Sequence, residues 1–146
     1  MKRREFLKKT GAACVAVGFV PACGEDADCS DASLISAEAS DGLVRLPSTA
    51  LADAGGSVRV QAGGHKIVLA RLKSGDVTGV SWVCTHAGCT VCFEDGAQEF
   101  ACPCHGSRFK PDGRRAAGPA RRALQEYPVT EEGEELIIDI SVTPAA

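Results

Sequence analysis

Apolar residues along this chain come in short blocks or alternate with polar ones, and they do not recur at the three-to-four-residue period of an amphipathic helix. Strand-like runs rich in Val, Ile, Leu and Phe stand at Leu43–Leu46, Ser57–Gln61, Lys66–Leu72, Val77–Val83, Gln98–Ala101, Ala123–Val129 and Glu135–Ile140. Between them lie Ala54-Gly55-Gly56, Ala62-Gly63-Gly64, Ser74-Gly75-Asp76 and Thr130–Glu134, which carry turn or loop chemistry. Short strands punctuated by glycine turns predict an all-β fold, an antiparallel sandwich or barrel. Leu51–Ala54 alone suggests a helical turn, and no internal repeat is visible.

The first residues follow a different pattern. Lys2-Arg3-Arg4-Glu5-Phe6-Leu7-Lys8-Lys9 is strongly basic and leads into an uncharged run from Thr10 to Gly24. A basic segment before a short apolar one is the pattern of a secretory signal. The paired arginines followed by Glu-Phe-Leu-Lys resemble the twin-arginine signal of proteins exported already folded. A short basic amphipathic helix is the plainer alternative. As a helix the uncharged run would measure roughly 22 Å, short of a hydrocarbon core of about 30 Å. It ends in Val20-Pro21-Ala22-Cys23-Gly24, which resembles a bacterial lipobox with Cys23 as the lipid-bearing residue, although Pro21 is atypical there. Ordinary cleavage or an uncleaved anchor are the alternatives. The expected organisation is a signal over residues 1–22, a flexible acidic tether over 23–41 and one folded domain over 42–146.

Composition fits that division. Of 146 residues, 45% are hydrophobic and 24% charged, which excludes collagen-like, disordered and multi-span membrane classes. The formal net charge of -3 conceals an acidic mature protein, because removing residues 1–22 leaves 11 basic side chains against 18 acidic ones. Nothing here argues for nucleic acid as a partner.

The eight cysteines fall in two groups, three before residue 30 and five between Cys84 and Cys104. Cys14 would leave with the signal, and Cys29 sits in the acidic stretch without evident chemistry. The second group reads Cys84-Thr85-His86-Ala87-Gly88-Cys89 and then Cys102-Pro103-Cys104-His105-Gly106-Ser107. Both boxes follow strand-like runs, so neighbouring loops can present two Cys and two His to one point. That donor set suits zinc or an iron–sulfur centre.

The spacing C-x-H and then C-x-x-H is similar to that of the Rieske [2Fe–2S] proteins. Gly118-Pro119-Ala120, Leu124 and Tyr127-Pro128-Val129 resemble that family's proline-containing loop and return strand, so the similarity runs from about Val77 to Ile140. The resemblance implies an antiparallel β-sandwich or barrel with two cluster-binding loops. It assigns Cys84 and Cys102 to one iron, and His86 and His105 to the other. Cys89 and Cys104 fall where the high-potential branch has a disulfide joining the loops, which needs an oxidising compartment. Ser107 matches a serine that hydrogen-bonds a bridging sulfur. Phe109 stands where high-potential members carry Tyr and cannot donate that residue's hydrogen bond to a cluster-ligand sulfur, which implies a potential below the quinol-oxidising group yet above ordinary ferredoxins. Ala87 replaces a larger apolar residue, which weakens the case for docking at a quinol site, and Arg121 replaces a second proline of the covering loop.

Other residues have plainer readings. Cys92 is expected as a spare thiol, the alternative being that it competes for the disulfide, His65 as an exposed turn residue, and Trp82 as core. Arg108 to Arg122 holds six basic residues against Asp112; it is either a solvated face or a surface that steers an acidic redox partner toward the cluster edge.

The resemblance implies a one-electron carrier, and the twin-arginine and lipobox patterns imply that it is exported to the periplasmic side of a bacterial cytoplasmic membrane and anchored through a lipid or the signal. Its partner would be a redox protein such as a cytochrome or a larger oxidoreductase subunit. Alternatives are the iron–sulfur subunit of a quinol–cytochrome c reductase, the small subunit of an arsenite-oxidase-like complex, and a structural zinc module using Cys89, Cys92, Cys102 and His105. A Rieske oxygenase is excluded, because His65 is the one histidine left for its second iron. The chain offers no catalytic site of its own.

Overall fold

The computed structural model describes residues 32–142. The strands are β1 (Ser33–Ser36), β2 (Ala39–Ser40), β3 (Leu43–Pro47), β4 (Ser57–Ala62), β5 (His65–Arg71) and β6 (Val77–Ser81). They continue with β7 (Cys92–Glu94), β8 (Glu99–Ala101), β9 (Arg108–Phe109), β10 (Arg115–Ala117), β11 (Val129–Glu132) and β12 (Glu135–Asp139). They form three sheets, in the orders β1-β4-β5-β6, β10-β9-β8-β7 and β11-β12-β3-β2. All ladders are antiparallel except β1 with β4, which is parallel. The all-β expectation therefore holds, and the described residues include no helix long and apolar enough to cross a membrane.

β5 explains the layering. Side chains of a strand alternate between its faces, and in β5 both faces are buried. Ile67 and Leu69 join Val44, Leu46, Val58, Val60, Leu136 and Ile138 in one core, against the β11-β12-β3-β2 sheet. Val68 and Ala70 point the other way, into a second core with Val80, Trp82, Val91, Phe100, Phe109 and Leu124. That second core also contains Cys84 and Cys102. The apolar run at Lys66–Leu72 is thus the strand shared by both cores, and its second face supports the cysteine loops.

Several elements differ from expectation. Residues 33–40, read as tether from their acidic surroundings, form β1 and β2. Ser33 to Ser36 pair with Val58 to Gln61, and the Arg59 guanidinium donates to the Ala32 carbonyl at 3.4 Å. Leu34 and Ile35 supply strand-forming side chains that the local charge obscured. The helical turn is 3₁₀ and covers Ser48–Leu51, three residues early. Ala123–Val129 makes one bridge, Val80 to Glu126, before β11 begins at Val129, and β11 takes up most of the expected Thr130–Glu134 loop. His65 opens β5 half-buried, with Nδ1 at 3.0 Å from the Tyr127 hydroxyl, so it is not an exposed turn residue.

Candidate metal centre

Two loops emerge side by side from the second core. In the first, the Cys84 amide donates to the Cys89 carbonyl at 2.8 Å and the Gly88 amide returns to the Cys84 carbonyl at 2.9 Å. In the second, the Cys102 amide donates to the Ser107 carbonyl at 2.8 Å and the Gly106 amide returns to the Cys102 carbonyl at 3.0 Å. The two loops are therefore closed identically, each starting at a buried cysteine. Gly88 and Gly106 occupy equivalent positions with φ of 77° and 76°. Residues with a Cβ rarely adopt that conformation, so it is the dihedral that asks for glycine here.

The equivalence sorts the donors by depth. Cys84 and Cys102 are buried free thiols packed in the second core. Burial raises the Cys102 thiol above the ordinary cysteine range, and a hydrogen bond with the Cys84 thiol pushes the same way. His86 and His105 are exposed at the tips, with ring centroids 4.6 Å apart and planes at 81°. The sulfur donors thus lie inside and the nitrogen donors outside.

Cys89 and Cys104 are joined by a disulfide with Cα atoms 6.5 Å apart, which ties one loop to the other. The Cys102 sulfur lies within 4.8 Å of both disulfide sulfurs. Those three do not make a metal site, since ligation needs thiolates. Cys92 is also disulfide-bonded. Its reading as a spare thiol is overturned. So is the zinc arrangement, because Cys89 and Cys92 offer no thiolate. Cys14, Cys23 and Cys29 lie outside the described residues, as does the twin-arginine segment.

A third segment covers both loops. Ser107 is fully buried, and its Oγ accepts the Ala120 amide at 3.1 Å. Thr85 Oγ1 donates to the Arg122 carbonyl at 2.7 Å. The cover is thus pinned to the second loop at Ala120 and to the first at Arg122. A Cβ on Gly118 would lie 2.4 Å from the Ser107 Cα, so only glycine permits this approach. Pro119 is exposed in the same cover, and Phe109 is fully buried in the core that holds the two free thiols.

These side chains suit an iron–sulfur centre. Two inner thiols and two outer imidazoles match a two-iron ligand set with sulfur at one iron and nitrogen at the other. Among the described residues the one hydrogen bond of Ser107 Oγ is the bond it accepts, which leaves its buried proton for a further acceptor such as a sulfide. Sequence reasoning supplied the ligand types but missed the equivalence of the loops, because the histidine is two residues after the cysteine in one and three in the other.

Residues 43–128 match the Rieske [2Fe–2S] domain. The chain is 39% identical over 67 residues to the cytochrome b6-f complex iron–sulfur subunit of Chlorobaculum tepidum, covering 46% of this chain and 37% of that one. To subunit 1 of the same name from Synechocystis it is 44% identical over 63 residues, covering 43% and 35%. It therefore spans little more than a third of the length of these relatives. Among solved structures it resembles the cyanobacterial plasma membrane Rieske protein of Synechocystis, with 29% identity, a TM-score of 0.52 and coverage of 56% of this chain and 84% of that one. The ferredoxin of carbazole 1,9a-dioxygenase from Nocardioides aromaticivorans shares the fold, with a TM-score of 0.57. The matched span takes in β3, β5, both loops and the cover, and the chain belongs to the Rieske [2Fe–2S] domain family, with one Rieske-type [2Fe–2S] cluster as its cofactor.

Proposed function

We propose that this protein is a one-electron carrier in which Cys84 and Cys102 hold one iron of the cluster and His86 and His105 the other. The observation that carries the assignment is the pair of equivalent loops, with thiols in the core and imidazoles at the exposed tip. The cluster, when bound, accepts and returns one electron. The chain's residues supply the rest. The exposed imidazoles give a partner short access and leave each ring's second nitrogen where it can hold or release a proton. Ser107 and the loop amides offer donors to sulfur and so favour the reduced state.

The Cys89–Cys104 bridge supports a place in the high-potential, disulfide-containing branch and an oxidising compartment. With the twin-arginine pattern at Arg3-Arg4, this supports export to the periplasmic side with the cluster already in place. Anchoring through a lipid on Cys23 or through the signal fits the similarity to a plasma membrane Rieske protein. The carrier would then serve a cytochrome or a larger oxidoreductase subunit, the arsenite-oxidase-like small subunit being one form of that arrangement.

A second reading, the iron–sulfur subunit of a quinol–cytochrome reductase, is favoured by the names of those relatives. Against it stands Ala87, a single methyl group at the exposed tip beside His86. Stopped-flow mixing of the oxidised holoprotein with a quinol and, separately, of the reduced holoprotein with an oxidised cytochrome separates the two. Rapid oxidation by the cytochrome without reduction by quinol supports the carrier; rapid reduction by quinol supports the subunit.

A further inference from the structure

We propose that the face formed by Val83 and the arginines of the cover is a docking surface for an acidic redox protein; this rests on the cluster assignment above. The basic run divides into spent and unspent cations. Arg108 is held by Glu94 at 2.7 Å and Glu99 at 3.2 Å, and Arg114 by Asp112 at 2.6 Å. Lys110 also faces Asp112, whose carboxyl it helps to hold down. Among the described residues no carboxylate pairs with Arg115, Arg121 or Arg122, and all three are exposed. Arg115 is held by two bonds to the Gly118 carbonyl, at 3.0 and 3.3 Å, which use Nε and one terminal nitrogen.

These unspent cations stand at the cluster end. Arg122 is tied through its carbonyl to Thr85, the neighbour of His86. Between them lies an open cleft of about 350 Å³ lined by Ser81, Val83, Cys84, Thr85 and Arg122, and continued by Ala123 and Gln125. That volume holds one or two partner side chains. Val83 is 38% exposed, one of two large hydrophobic residues at the described surface. An exposed apolar side chain with an arginine beside it is a pairing common in interfaces.

The opposite end is acidic. Glu131, Glu132, Glu134 and Glu135 cluster on the β11–β12 hairpin, which Arg71 grips through Glu131 at 2.8 Å. Arg71 closes β5, whereas the backbone carbonyl of Lys66, near its start, accepts the amide of Trp82 at the entry to the first cysteine loop. Five residue steps of strand separate these points by about 17 Å, twice the screening length at physiological salt. The domain thus presents a positive cluster end and a negative far end. An acidic partner is oriented with its surface toward the imidazoles, and a basic one is drawn to the wrong end.

The test uses reduced holoprotein and two one-electron acceptors, an acidic c-type cytochrome and a basic one, in stopped flow from about 10 to 150 mM salt. We expect the acidic acceptor to react faster at low salt, with a rate that falls as salt rises. The double substitution R121E/R122E should cut that rate at least tenfold at low salt and reverse the preference between acceptors. R121Q alone should give a smaller loss in the same direction, should the double variant fail to fold. Arg45→Glu, on the far sheet, should leave the preference intact. A salt-independent acidic rate, a preference for the basic acceptor, or vesicles of anionic lipid binding this face without any effect of R121Q on electron transfer would each overturn the proposal. Protein without visible cluster absorbance would overturn the cluster assignment instead, and with it this one.

Discussion

The fully buried Ser107 hydroxyl accepts the Ala120 amide at 3.1 Å, so one side chain both anchors the cover and keeps a proton directed elsewhere. If that proton goes to a cluster sulfur, it stabilises the added negative charge of the reduced state. Ser107→Ala should lower the midpoint potential. A net hydrogen bond of about 1 kcal/mol corresponds to roughly 40 mV for one electron. Redox titration followed by visible absorbance checks this; an unchanged midpoint would show the proton directed elsewhere.

Phe109→Tyr should act in the opposite sense. Phe109 is fully buried in the core that contains Cys84 and Cys102, and a hydroxyl there can satisfy itself on a ligand sulfur. The same reasoning gives a rise of roughly 40 mV. A fall or no change in the titrated midpoint would sink it.

Gly118→Ala tests the cover. The added Cβ meets the Ser107 Cα and the Gly106 carbonyl, backbone atoms that cannot swing aside. We expect a loss of about 2 kcal/mol, seen as a fall of roughly 5–15 °C in the melting temperature of the holoprotein, with faster bleaching of the cluster colour. A variant that melts and bleaches like the parent would show that the cover can part from the second loop at no cost.

Acid sensitivity is predicted at the far end. The hydrogen bonds from Arg71 hold the Glu131 carboxyl below the usual range, against a smaller opposing effect of burial. A depressed carboxyl stabilises the fold above its unfolded value, about 4.3, and that stabilisation is lost as pH falls through the folded value. Glu131→Gln should be less stable than the parent at pH about 6 and close to it at pH about 3. Urea unfolding at both values measures the gap, and a gap that widens on acidification would contradict the assignment.

Much of this was legible in the sequence, for physical reasons that single residues make plain. Ile67, Val68, Leu69 and Ala70 announce a strand buried on both faces, and Cys84, His86, Cys102 and His105 announce a mixed sulfur and nitrogen donor set. The rest depended on contacts between distant residues. Leu34 and Ile35 form β1 only because Val58–Gln61 offer an edge to pair with. His65 is held by Tyr127, 62 positions away. The Cys92 pairing could not be read from C-x-x-C spacing, which suits a thiol pair, a metal or separate bonds equally. The closure shared by the two loops lies in backbone hydrogen bonds, and the different histidine offsets conceal it.

The proposed carrier rests on a mixed ligand set, two thiolates at one iron and two imidazoles at the other. Electron paramagnetic resonance of the reduced, purified holoprotein tests it most directly, with nitrogen couplings read by pulsed methods. The mixed ligand set should give a Rieske-type spectrum with couplings from two imidazole nitrogens, and the loss of one coupling in His86→Cys. A spectrum free of imidazole coupling, or one unchanged by that substitution, would contradict it.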